Sequence, residues 1–170
     1  DAVEADIARA TRLRRDLEDV RRTRAVQRSG RRRNQTPAIA LVGYTNSGKS
    51  TLFNRLSGAD VIALDMPFAT LDPTIRKAVL PVTGDVALVD TVGFITDLPT
   101  HLVDSFRATL EEILEADLLL HVRDMSSGVE AQQKQDVLGV LNSLSDSHGV
   151  ELPPIVEAWN KIDALPDYVR

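Results

Sequence analysis

Cysteine is absent from the chain, which excludes both a disulfide framework and a thiolate metal site. No apolar run is long enough to span a bilayer and no secretory signal pattern opens the chain, so membrane insertion is not expected and a cytoplasmic protein is. Internal repeats and low-complexity tracts are also missing. Aromatic residues make up only 4% of the chain, against an ordinary apolar content of 43%, so its hydrophobic residues are mostly aliphatic. At 170 residues the chain has room for one core-forming domain with an appendage. Asp1 in place of Met, and an end soon after a strand-like segment, read as an excised or processed piece. The net charge of −5 conceals a division: residues 1–33 hold 11 Arg against 6 Asp and Glu, and the acidic excess lies in the remainder. A basic arm on an acidic body points to a polyanionic partner for the arm alone.

The arm reads as one helix over residues 3–28. Val3, Ile7, Ala10, Leu13, Leu17 and Val20 recur every three or four positions, with no Gly or Pro between them. Arg9, Arg12, Arg14, Arg15, Arg21, Arg22 and Arg24 occupy the other faces. Such a stripe fits one arm of a helical hairpin or a helix packed on the following domain. Arg28 to Pro37 then reads as a basic linker, with Gly30 and Pro37 as helix stops. Its arginines fit a solvated hinge or, better, contact with nucleic-acid phosphates. The boundaries expected are a helical arm and linker over 1–36 and a second domain over 37–170.

From residue 37 onward, short apolar runs alternate with helical patterns. Ile39–Val42, Thr74–Leu80, Val86–Val89, Asp117–Arg123 and Pro154–Trp159 read as strands. Ser50–Leu56 (Leu52, Phe53 and Leu56 inward), His101–Ala116 (Leu102, Phe106, Leu110, Ile113 and Leu114 on one side) and Val129–Leu144 (Val137, Leu138, Val140, Leu141 and Leu144) read as helices. Residues 61–73, Thr91–Thr100 and Ser145–Glu151 read as loops. The alternation predicts an α/β fold with a mostly parallel sheet covered on both faces.

The first strand runs into Gly43-Tyr44-Thr45-Asn46-Ser47-Gly48-Lys49-Ser50, the pattern G-x-x-x-x-G-K-S, with Thr51 continuing into the helix. Gly43 and Gly48 let backbone N–H groups turn toward a phosphate, and the helix N-terminus adds donors and a positive dipole end. Lys49 supplies a point charge for the outer phosphates, and Ser50 offers a hydroxyl to Mg²⁺. Asp90-Thr91-Val92-Gly93 follows a buried strand as D-x-x-G: Asp90 can reach Mg²⁺ through a water, and the Gly93 N–H can approach a terminal phosphate. Phe68-Ala69-Thr70-Leu71-Asp72 lies in the intervening loop, where Thr70, or failing it Thr74, can complete the metal shell. Asn160-Lys161-Ile162-Asp163 is N-K-x-D after the last strand. A carboxylate at Asp163 that accepts from both guanine N1–H and its exocyclic amine rejects adenine steeply. These residues together predict a site for GTP and GDP with Mg²⁺.

The four segments resemble those of translation-factor-like GTPases. Gly43 to Asn54, Phe68 to Thr74, Asp90 to Ile95, Asp97-Leu98-Pro99 and Phe106 to Glu112 are similar to the HflX family of ribosome-associated GTPases. The resemblance covers about Ala38 to Asp163 and reaches into the arginine-bearing helix. It implies the P-loop GTPase fold and a preceding helical domain of which this chain holds the last arm. It also implies association of a monomer with the large ribosomal subunit and its RNA, and a role in rescuing or splitting stalled ribosomes. The base-contacting loop, closing strand and helix that the family carries further on are not in this chain, so the domain over 37–170 is expected to be incomplete at its C-terminal side.

The expected reaction is GTP hydrolysis by positioning and charge neutralisation, through Lys49, Asn46, Thr70 and Gly93. Phe94 stands where such enzymes usually place a water-orienting Gln, so intrinsic turnover is expected to be slow. His101 and His121 read as structural. Asn46, in G-x-x-N-x-G-K-S, resembles the Asn of GTPases that use K⁺ in place of an arginine finger; the other reading is a hydrogen bond from Asn46 to the loop between Phe68 and Thr74. The alternative to a hydrolytic switch is an RNA-binding module that nucleotide merely orders.

Overall fold

In the computed structural model, residues 36–58, 74–94 and 107–167 are described, with Arg12, Arg15, Asp19 and Arg22; the side chains of Thr74 and of residues 107–109 are not. The chain separates into two compact units, Asp1–Thr36 and Pro37–Arg170. In the first unit the described positions Arg12, Arg15, Asp19 and Arg22 are helical and exposed. The rest of the helix expected over 3–28, and the linker through residue 35, lie outside the described residues. So do Phe68–Asp72, Ile95–Phe106 with His101, and the C-terminal 168–170.

The second unit is built on five strands: β1 (Ala38–Val42), β2 (Thr74–Leu80), β3 (Gly84–Asp90), β4 (Leu118–Asp124) and β5 (Ile155–Asn160). Their spatial order is β2-β3-β1-β4-β5. β1 pairs in parallel with both β3 and β4, and β4 in parallel with β5, while β2 closes an antiparallel hairpin onto β3. This is the mostly parallel sheet that the alternation of elements implied. β1 is central and its alternate residues divide two cores. Ala40 and Val42 join Val89, Phe94, Leu110, Ile113, Leu119, Val137, Leu141 and Leu144 on one face. Leu41 joins Phe53, Ala78, Val86, Leu88 and Val122 on the other. A strand buried on both sides has no polar face to spare, hence its continuous apolar run.

Three helices cover these faces: α1 (Lys49–Ser57) on the second, α2 (Arg107–Leu114) and α3 (Glu130–His148) on the first. α1 ends where Gly58 takes φ 65°, a left-handed cap that glycine adopts without strain. Only Phe53 among its expected inward residues is fully buried; Leu52 is partly so, and Leu56 lies outward on the exposed last turn. α3 runs a turn beyond the expected end at Leu144. The Ser147 hydroxyl and His148 Nδ1 engage the Leu144 carbonyl, and Gly149 at φ 62° supplies the stop, so the predicted loop begins four residues late. Among the described residues no helix is long and apolar enough to cross a membrane.

Since Phe53 anchors α1, truncating it strands the helix that follows the phosphate-loop sequence. Phe53→Ala is expected to cost about 3–5 kcal/mol of folding free energy, read as a lower midpoint in urea unfolding at unchanged slope.

Candidate nucleotide-binding site

Parallel pairing of β1, β3, β4 and β5 brings their C-terminal ends to one edge. That edge is the place where open α/β sheets gather ligand contacts. Gly43–Ser50, Asp90–Gly93, Asp124 and Asn160–Asp163 all leave the sheet there. Phe68–Asp72, with Thr70, lies outside the described residues.

The phosphate loop is wound by two residues of positive φ, Asn46 at 58° and Gly48 at 97°. Gly48 has no freedom to be anything else: a Cβ would collide with the Asn160 side-chain amide, and its φ suits glycine alone. α1 starts directly after it with no side-chain cap, so its first-turn N–H groups face the loop. Ser47 is buried, and its hydroxyl has no partner. Lys49 is 6% exposed; burial pushes its ammonium down to about 8, against the pull of Asp90 in the other direction. Its Nζ donates to the Tyr44 carbonyl at 3.0 Å. A buried cation beside an orphaned hydroxyl and a helix N-terminus fits an anion.

Ser50 Oγ donates to Asp90 Oδ2 at 2.7 Å, with Asp90 1% exposed. A hydroxyl and a carboxylate side by side are hard oxygen donors of the kind Mg²⁺ takes alongside phosphate oxygens. Among the described residues no cluster of three or more His, Cys, Asp or Glu forms a separate metal cage.

The D-x-x-G segment is fastened along its length to β1 and the loop. Thr91 Oγ1 donates to the Leu41 carbonyl at 2.6 Å. Phe94 N–H donates to the Gly43 carbonyl at 3.0 Å, and Thr45 N–H to the Phe94 carbonyl at 2.6 Å. These bonds press Gly93 onto the loop, where a Cβ would stand 2.9 Å from Thr45 Cα and 3.0 Å from Lys49 Nζ. Phe94 itself is 1% exposed and packs in the core. Its ring is therefore a structural anchor in the core, on which Tyr44 of the loop also packs.

The N-K-x-D segment reaches back to the same loop. Asn160 Nδ2 donates to the Ser47 carbonyl at 2.9 Å, and Lys161 Nζ to the Asn46 carbonyl at 2.8 Å. Asp163 sits exposed in the short 3₁₀ turn Ile162–Ala164. Of the nucleotide-site residues singled out in the sequence, those described in the second unit lie at this edge. The sequence reading missed Asp124, which pairs with Lys161 at 2.8 Å. It also missed Glu157, which takes Arg123 at 2.7 Å and Lys134 as ion partners and the Trp159 indole N–H at 3.0 Å. Asp124 ends an apolar strand as Asp90 does, and that position was a usable signal.

A mostly parallel sheet whose central strand delivers G-x-x-x-x-G-K-S into a helix is the P-loop nucleotide-binding fold. Residues 38–161 match the family described as 50S ribosome-binding GTPase. "GTPase HflX" of Caldanaerobacter subterraneus is 51% identical over 88% of this chain and 34% of that protein. The same-named protein of Magnetococcus marinus is 50% identical over 92% and 35%. A crystal structure of a GTP-binding protein from Sulfolobus solfataricus in complex with GDP is 33% identical, covers 88% of this chain and 44% of that one, and superposes with a TM-score of 0.55. The chain belongs to the 50S ribosome-binding GTPase family, in its HflX group. It spans about a third of the length of the curated relatives it matches.

His121, on β4 beside this edge, is 2% exposed and its Nδ1 has no partner. Burial pushes its pKa down from 6.5 to about 4; Glu157 pulls it upward, and Arg123, Lys134 and Lys49 push with the burial. Between those two values the unfolded chain binds a proton that the folded one refuses, so stability falls as pH drops from about 6.5 to about 4. Glu157, held down to about 2 chiefly by Lys134 and Trp159, loses its contribution only at lower pH. Urea unfolding is expected to show a decline of roughly 3 kcal/mol across the upper window, much flattened in His121→Gln.

Proposed function

We propose that this domain binds GTP and GDP with Mg²⁺ and hydrolyses GTP as a switch. It acts as a cytoplasmic monomer whose basic N-terminal arm contacts RNA of the large ribosomal subunit. The observation that carries the reading is the convergence of a buried Lys49, the Ser50–Asp90 pair and N-K-x-D on one loop. The family description and the relatives' names, which speak of a GTPase and of 50S binding, support it. Rescue or splitting of stalled ribosomes is the task we assign to the switch.

Each residue has a task in that reaction. Lys49, the Gly93 N–H and the N–H groups of the loop hold the phosphates and stabilise charge developing on them. Ser50 and Thr70, with Asp90 through a water, would hold Mg²⁺, which would supply neutralisation of phosphate charge. Asp163 reads guanine by accepting from N1–H and the 2-amino group. The ring of Phe94 is buried in the core and neither orients nor polarises water, so turnover depends on help from elsewhere.

GTP hydrolysis is expected to rise severalfold when large ribosomal subunits are added. Lys49→Ala should lower the stimulated rate by about 10²–10³. Replacing Arg31, Arg32 and Arg33 with Gln should weaken the stimulation and flatten its salt dependence, with GTP affinity unchanged. GTP binding with no hydrolysis in either condition would instead support the RNA-binding module.

We assign a monovalent cation, K⁺, to Asn46, whose side chain is exposed while its carbonyl is held by Lys161. Single-turnover hydrolysis is then faster in KCl than in NaCl at equal ionic strength, and the difference disappears in Asn46→Ala. Equal wild-type rates in the two salts leave Asn46 as a contact for the loop between Phe68 and Thr74.

A further inference from the structure

The 3₁₀ turn that carries Asp163 has no buried residue. Ile162 is 49% exposed, and Trp159 just before it 62%. Hydrophobic packing therefore does not orient this turn, within which Ala164 N–H donates to the Lys161 carbonyl and Leu165 N–H to the Ile162 carbonyl. At its start, the side chains of Asn160 and Lys161 tie it to the phosphate loop. Lys161 is a long, flexible stem on a residue of φ 58°, and a single bond to the neutral Asn46 carbonyl is a weak restraint on an exposed ammonium.

The second restraint comes from outside both motifs. Asp124, at the end of β4, accepts from Lys161 Nζ through Oδ2 at 2.8 Å. Its own position is fixed, because Oδ1 accepts from Ser126 N–H at 2.9 Å and Ser126 Oγ at 2.6 Å. The strands are aligned here as well: Asp124 is in register with Asn160, and Met125 N–H donates to the Asn160 carbonyl at 3.1 Å. The Asp124 side chain is 15% exposed, so the carboxylate end of the pair is sheltered, and a charge-assisted bond accepted there is directional.

We propose that Asp124 is a specificity-positioning residue of the guanine site: by clamping Lys161 between β4 and the Asn46 carbonyl, it sets the angle at which Asp163 meets the base. Asp124 touches neither base nor phosphate and acts through Lys161. The proposal rests on the reading of Asp163 as the guanine acceptor.

The test compares GDP with IDP, which lacks the 2-amino group, by equilibrium binding in the full chain, for wild type, Asp124→Asn and Ser126→Ala. In Asp124→Asn the amide oxygen still accepts from Ser126, and only the charge facing Lys161 is lost. The affinity ratio of GDP to IDP is expected to fall about tenfold, with weaker GDP binding. Ser126→Ala loosens the turn but leaves the Lys161 pair, so it lowers the melting temperature and keeps the ratio. A general structural role would instead lower both affinities together in both variants, and that result, or an unchanged ratio in Asp124→Asn, overturns the proposal. If Asp124→Asn does not fold, Asp124→Glu carries the test: its longer stem displaces the charge, the ratio is expected to fall less, and an unchanged ratio again overturns it. A wild type that does not prefer GDP over IDP defeats the guanine reading itself, an outcome distinct from the failure of Asp124 alone.

Discussion

Lys49 is a cation placed in the interior, and the rest of the site is arranged around that cost. Its Nζ has a neutral carbonyl as hydrogen-bond partner, and burial has drawn its pKa to about 8. An ammonium held this way stays charged near neutrality, yet it is under-compensated, and a multiply charged phosphate is the complement it lacks. The loop can present it only because Gly48 takes a backbone angle closed to other residues and because α1 starts without a side-chain cap to occupy its N–H groups. A side chain at Gly48 would collide with the Asn160 amide, and one at Gly93 with the Thr45 backbone, so both positions are closed to larger residues.

The D-x-x-G segment shows how the anion site is connected to the sheet. Thr91 bonds to β1, Phe94 bonds to the loop on both of its main-chain groups, and the Phe94 ring is locked in the core. Gly93 is thus held against Lys49 by packing on one side and hydrogen bonds on the other. A phosphate that displaces Gly93 has to work against these bonds, whereas one that accepts its N–H uses them. The residue that stands in the expected place of Gln is, in the structure, a core anchor whose main chain fastens Gly93 to the loop.

Much of this was legible before any coordinates. Apolar runs ending in Gly43, Asp90 and Asn160 marked parallel strands, and parallel strands bring their ends together whatever lies between them. The inward ring of Phe94 was not legible: an aromatic after D-x-x-G reads as a substitution at the reaction centre, and nothing local tells that its main chain pairs with Gly43. Leu56 was misread because a three-residue apolar count ignores where the sheet under α1 stops. The extra turn of α3 rests on Ser147 and His148 engaging the Leu144 carbonyl, bonds that polar composition concealed as a loop. Asp124 was marked only by its place at a strand end, and Glu157 not at all. Their significance comes from the β4–β5 register, which places Asp124 beside Asn160 and His121 beside Glu157, and a single sequence carries no register between strands 36 residues apart.

That register also bears on how base and phosphate recognition are related. β5 lies at the edge of the described sheet, and its outward residues Val156 and Trp159 are half or more exposed. The parallel ladder to β4 and the packing of Ile155 on the core hold this strand, and the charge pairs Arg123–Glu157, Lys134–Glu157 and Lys161–Asp124 add ties across it. Two bonds from Asn160 and Lys161 then enter the phosphate loop at the neighbouring carbonyls of Ser47 and Asn46. The turn after β5 and the G-x-x-x-x-G-K-S loop are thereby tied to one another. N-K-x-D and the phosphate-loop sequence thus meet through side-chain amide and ammonium contacts to the loop backbone.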